Sequence, residues 1–118
     1  MEISLYNKNG KPIAYIADEE GTIYIWNGQA VAYLSDDLVY GFNGKHLGWF
    51  VHGVMYDKQG SKIGFTDNTC PSVRLIEPIK SIKHIKSIKK IHSIPNIRPI
   101  LSIGYSHNDL EKFLENGK

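Results

Sequence analysis

Apolar residues along this chain follow two periods, and neither is helical. Up to residue 68 they gather in short runs of β-branched and aromatic residues, interrupted at Asn9-Gly10, Asn27-Gly28, Asn43-Gly44 and Gln59-Gly60. From Val73 an isoleucine then stands at every third place: Ile76, Ile79, Ile82, Ile85, Ile88, Ile91, Ile94, Ile97, Ile100 and Ile103. The first pattern predicts strands joined by tight turns. The second fits neither a strand, which would alternate its faces, nor an α-helix, where each step of three turns the side chain by about 300°.

The first pattern is a fourfold repeat. LYNKNGKPIAYIAD, IYIWNGQAVAYLSD, VYGFNGKHLGWFVH and MYDKQGSKIGFTDN align without gaps. Each carries a Tyr (Tyr6, Tyr24, Tyr40, Tyr56) four places before its turn Gly. Three places after the Gly come an aliphatic residue (Ile13, Val31, Leu47, Ile63), a small one (Ala14, Ala32, Gly48, Gly64) and an aromatic (Tyr15, Tyr33, Trp49, Phe65). Asn-Gly is the preferred pair for a type I′ hairpin turn, in which both residues take positive φ. The Ala/Gly column predicts close approach of a neighbouring backbone. Hairpins this short must pack on one another, and a ring leaves no exposed edge. The expected fold is all-β: four hairpins, about 3–18, 22–36, 38–52 and 54–68, in a closed pseudo-fourfold flower over 1–70, with the aromatic columns lining its interior.

For the tail, residues 71–105, two conformations keep every third residue in one stripe. The 3₁₀-helix rarely runs beyond a few residues, whereas polyproline II has no such limit and tolerates Pro78, Pro95 and Pro99. An amphipathic polyproline II segment is predicted, its isoleucine edge apolar. At about 3.1 Å per residue it would reach about 95 Å, against about 30 Å for the flower. It must bend back, pack beside other copies or lie along something else. Residues 106–118 predict a short helix over about 108–116, started by Ser106-His107-Asn108-Asp109, with Leu110, Phe113 and Leu114 on one face that must dock on the flower or on another protein.

These features resemble the four-fold β-flower family: a Y-x-x-N-G hairpin and an aliphatic–small–aromatic triplet, four times over, then Cys70-Pro71 and the three-residue tail. The resemblance implies four hairpins set like petals about a pseudo-fourfold axis, and no established activity or catalytic residue. MORN repeats, longer and richer in glycine, are the alternative.

Charge divides the chain. Residues 1–70 hold five Lys and eight Asp/Glu (−3), 71–105 hold five Lys and two Arg against Glu77 (+6), and 106–118 hold two Lys against three acids (−1). Lys80, Lys83, Lys86, Lys89, Lys90 and Arg98 are candidates for binding anions such as nucleic acid or a charged membrane. The tail lacks the aromatic platforms that stack bases. The preferred reading is that these lysines keep an associated apolar stripe soluble.

Other chemistry is sparse. Asp18, Asp36, His52 and Asn68 stand eight places after each turn Gly and would suit a divalent metal if they converged; turn positions explain them more simply. The Tyr column reads as core rather than a ligand pocket. Cys70 reads as a structural thiol, not a nucleophile served by His46 or His52. No phosphate-binding loop, Cys-x-x-Cys or serine elbow is present, and no cofactor is expected. A lone cysteine, no apolar run near the roughly 18 residues of a membrane span and no secretory pattern at the N-terminus point to the cytoplasm. The expectation is a non-enzymatic interaction or assembly module. A homo-oligomer or protein partner would be held by Ile79, Ile82, Ile85, Ile88, Ile91 and Ile94, with Trp26 and Phe42 as further contacts. Binding of anionic surfaces is the alternative, and a metal-dependent enzyme the least supported.

Overall fold

A computed structural model describes residues 2–86, 89–91, 93–95, 97–102 and 104–118. The four turn motifs join β1 (Ile3–Tyr6) to β2 (Pro12–Ile16), β3 (Thr22–Ile25) to β4 (Ala30–Ser35), β5 (Leu38–Gly41) to β6 (His46–Val51), and β7 (Val54–Tyr56) to β8 (Lys62–Phe65). Each strand pairs with the next, antiparallel, and β8 returns to β1 through Tyr6 and Phe65. The result is the expected closed barrel of four hairpin petals. Its breadth is 37 Å in two directions and 22 Å in the third.

The turns differ from the predicted type. Only the glycine has positive φ: 84° at Gly10, 96° at Gly28, 89° at Gly44 and 83° at Gly60. Asn9, Asn27 and Asn43 do not. The loop has three residues, with a register slip one place before each petal's Tyr column. A left-handed Gly after an ordinary turn absorbs the extra residue as a bulge. Side chains brace this loop: Asn7 Oδ1 accepts the N–H groups of Asn9 and Lys11, and Asp57 Oδ1 those of Gln59 and Ser61, all at 3.0 Å, while Asn27 accepts from Gln29 and Asn43 from Lys45.

The barrel interior is aliphatic. Within each petal a bulky residue faces a small one: Leu5 opposite Ala14, Ile23 opposite Ala32, Val39 opposite Gly48, Met55 opposite Gly64. The aromatic columns occupy the opposite strand face, so the expectation that they line the interior is overturned. They pair across the junctions between petals, Tyr15 with Tyr24, Tyr33 with Tyr40, Trp49 with Tyr56 and Phe65 with Tyr6. An eight-stranded barrel is only just wide enough for side chains to fill, and eight rings would not fit inside this one.

Part of that interior belongs to α1 (Leu110–Glu115), capped by Asp109, whose carboxylate accepts the Lys112 N–H. Leu110, Phe113 and Leu114 join the aliphatic core. The small column makes room for them. A Cβ on Gly64 would come within 3.0 Å of Leu110 Cδ1, and one on Gly48 within 3.0 Å of Phe113 Cζ. At Gly48 the predicted close backbone approach is also present, from the Tyr56 carbonyl. Among the described residues no helix is long and apolar enough to cross a membrane.

Candidate interaction surface

Between the barrel and α1 the chain runs once round the outside of the petals. Over the described residues from 71 to 103 it forms neither helix nor strand. It starts against petal one, where the Ser72 hydroxyl donates to the Lys8 carbonyl at 2.8 Å. It ends with Tyr105 edge-on to Phe65, at 5.8 Å between ring centroids, beside the closing seam. Of the three courses open to a long tail, bending back on its own flower is the one observed.

Attachment repeats every nine residues. The N–H groups of Leu75, His84, Ser93 and Ser102 donate to the carbonyls of Gly10, Gly28, Gly44 and Gly60 at 2.7–2.9 Å. Two residues before the glycine, Trp26 accepts from the Ser81 N–H and Phe42 from the Lys90 N–H. The equivalent belt position on petal four is Pro99, which has no N–H to give. A quarter of the rim of a disc 37 Å across is about 29 Å, so nine residues advance about 3.2 Å each, close to full extension. The turn glycine therefore serves twice. A Cβ on Gly10 or Gly28 would collide with the belt carbonyl of Val73 or Ile82.

Belt side chains divide by direction. The lysines turn toward the barrel: Lys80 lies 4.8 Å from the Tyr15 ring centre and 5.1 Å from that of Trp26, and Lys89 lies 4.2 Å from that of Tyr33. Such contacts contribute about 0.5–1 kcal/mol each at exposed sites. Lys80 and Lys83 reach Glu2 at 2.7 and 3.1 Å, Lys86 reaches Asp18 at 3.4 Å, and Arg98 reaches Asp37 at 4.0 Å. Lys90 is exposed. The basic tail and acidic head are thus partners within one chain. The isoleucines face away: Ile76, Ile79, Ile82, Ile85, Ile91, Ile94, Ile97 and Ile100 are 90–100% exposed. Ile88 lies outside the described residues.

This is an amphipathic segment with its usual orientation inverted. Four-petal closure, the enclosed helix and the belt over the aromatic junctions account for nearly the whole chain. The sequence profile of the family described as "4-fold beta flower protein" matches residues 3–114. The chain belongs to the 4-fold β-flower family. No curated protein and no solved structure matches it.

Other predicted site residues are placed as follows in this β-flower. Asp18 accepts the Thr22 N–H at 3.1 Å, Asp36 and His52 sit in turns with φ of 53° and 51°, and Asn68 is exposed. Among the described residues no three His, Cys, Asp or Glu side chains gather as a metal-holding group. Cys70 Sγ is directed at the Asn7 carbonyl, 3.7 Å away, while His46 is buried with Nε2 2.9 Å from the Gly48 carbonyl. Burial holds the His46 imidazole below its usual pKa. Phe42, expected as a partner contact, is 3% exposed and packs edge-on to Tyr33, so it is unavailable to an outside molecule. Trp26 is half-buried, donating Nε1–H to the Pro78 carbonyl at 2.9 Å. Both hold the belt. The nine-residue period was missed because the three-residue period overlies it; the signal was there in Ser72, Ser81 and Lys90, nine apart and each one place before a crest residue, Val73, Ile82 and Ile91.

The seam at petal one predicts acid sensitivity. The Glu77 carboxylate accepts from the Ser4 and Tyr6 hydroxyls, and Glu2 accepts from Lys80. Hydrogen bonds from Ser4 and then Tyr6 hold Glu77 below the ordinary 4.5, and Lys80, then Lys83, do the same for Glu2. A carboxyl depressed in the fold stabilises it fully above its unfolded pKa and loses that contribution as pH falls through the folded value. The first arc of the belt is therefore expected to loosen below about pH 4.5. NMR of the Trp26 indole N–H checks this: faster exchange with water as pH drops, shifted in Glu77→Gln. A signal unchanged down to pH 2 contradicts it.

Proposed function

We propose that this β-flower is a non-enzymatic interaction and assembly module that works through the isoleucine crest of its belt. One observation carries the reading: eight described isoleucines, set at multiples of three places along the belt, are 90–100% exposed. Burying such a side chain is worth about 1.5–3 kcal/mol, and none of that is realised in the single chain. Isolated apolar residues on a surface are ordinary, but eight of them recurring along one segment mark a contact site.

The belt's own attachment supports the same view. A hydrogen bond contributes about 1 kcal/mol net, while fixing one residue's backbone costs about 1–2 kcal/mol. Among the described residues roughly two such backbone bonds per nine residues tie the belt down, together with the lysine contacts to rings and acids, and covering its crest would secure it further. A three-residue screw of the polyproline II kind accounts for isoleucines at every third place sharing one direction. The lone Cys70 suits a reducing, cytoplasmic setting. Recognition of anionic surfaces has less support, because Lys80, Lys83, Lys86 and Arg98 already face Glu2, Asp18 and Asp37.

A photo-cross-linking residue at position 85, compared with one at exposed Lys58 on a petal tip, tests the crest in cells producing the protein. Discrete adducts from position 85 and none from position 58 are the expected result. No adduct from any crest position overturns the reading.

A further inference from the structure

We propose that copies of this chain join edge to edge through their isoleucine belts into a flat, square sheet. This rests on the crest being an interaction surface and commits its occupant to a second copy. The first argument is repetition. The nine-residue attachment divides the rim into four arcs, one per petal, crested among the described residues by Val73, Ile76 and Ile79; Ile82 and Ile85; Ile91, Ile94 and Ile97; and Ile100. Four alike arcs a quarter-turn apart give each disc four neighbours. Contacts that do not close on themselves extend without limit.

The second argument is shape. Two convex rims touch over about one arc, two or three isoleucines a side, far fewer than the roughly 20–30 residues a side of a stable pairwise interface. One contact is therefore weak and four are needed together, which favours a lattice over a dimer. The third is backbone and charge. The N–H groups of Ile76, Ile79, Ile85, Ile94 and Ile97 have no partner among the described residues. Discs lying the same face up bring their belts together antiparallel, the arrangement in which two extended chains exchange hydrogen bonds. The rim lysines are mostly offset by the disc's own acids, which reduces repulsion between copies.

Light scattering against concentration and negative-stain microscopy of the purified full chain test this. The expected result is a steep onset of assembly into sheets with a square repeat somewhat above the 37 Å breadth of the disc. Ile85→Asp with Ile100→Asp, blocking two opposite arcs, should yield rows one molecule wide. Further charges at Ile79 and Ile94 should leave monomers. These side chains are at least 90% exposed, so the fold should persist, as circular dichroism will show. A monomer at all concentrations, a closed dimer, or amorphous aggregate indifferent to which arcs are blocked overturns the sheet. So does assembly that appears only with vesicles of neutral or anionic phospholipid. If cellular cross-links from position 85 reach only other proteins while the purified chain stays monomeric, the sheet fails and the interaction reading stands.

Discussion

Leu114→Ala is expected to lower the stability of the whole β-flower by about 2–5 kcal/mol, the range for a fully buried leucine cut back to its Cβ. Leu114 is 0% exposed and Leu110 1%, and both share one cluster with the inward residues of all four petals. The place of this residue in the range depends on how far its surroundings can collapse. A closed ring of strands is tied by hydrogen bonds right round its circumference and contracts poorly, which favours the upper half. Urea unfolding monitored at Trp49, buried at 2% exposure, should show a lower midpoint with the slope unchanged. Lys112→Ala, on the exposed side of the same helix, should change stability by no more than about 0.5 kcal/mol. A loss under 1 kcal/mol at Leu114 would mean that the helix rests on the barrel instead of completing its core.

The barrel was legible in the sequence because its determinants are local and repeated. A Tyr, a turn glycine and an aliphatic–small–aromatic triplet each act within one hairpin, and four copies leave closure as the arrangement without free edges. Which face carried the aromatics was less legible. Strand alternation separates Ala14 from Tyr15 but does not say which points inward; volume decides, and volume depends on the C-terminal helix entering a space that small side chains leave open. Turn type was misread for a related reason. The Asn-Gly pair suits two-residue and three-residue loops alike, and the side chains that brace the wider loop differ between petals: Asn7 and Asp57 accept two N–H groups each from outside the pair, Asn27 and Asn43 one each from within it.

The belt was legible as a period and illegible as a place. A stripe of isoleucines flanked by lysines ordinarily buries the isoleucine, and here it does not. What reverses it is a set of contacts from residues far apart in sequence: rings at the petal junctions that accept lysines on their faces, and Glu2, Asp18 and Asp37 spaced round the barrel. The opposed charges of residues 1–70 and 71–105 were the visible trace of that set. In the fold they meet as the two sides of one contact.

Gly28→Ala should release the second arc of the belt while the barrel stays closed. The position asks for two things that only glycine supplies. Its φ of 96° disfavours any side chain, costing about 1–2 kcal/mol, and a Cβ would meet the Ile82 carbonyl. That carbonyl belongs to the arc tied down by Ser81 on Trp26 and His84 on Gly28, so pushing it outward breaks both hydrogen bonds and draws Lys83 and Lys86 off the barrel. Limited trypsin digestion reads this directly, as faster cleavage after Lys83 and Lys86 with the strands still protected. Gly21→Ala separates turn strain from the collision, since Gly21 also has positive φ, 79°, but its Cβ would press on Leu34 of the barrel wall and not on the belt. It should lower the unfolding midpoint without exposing Lys83 or Lys86 in the folded protein. Equal cleavage in the two variants would mean that the belt follows barrel stability in general, and that the turn glycine has no docking role of its own.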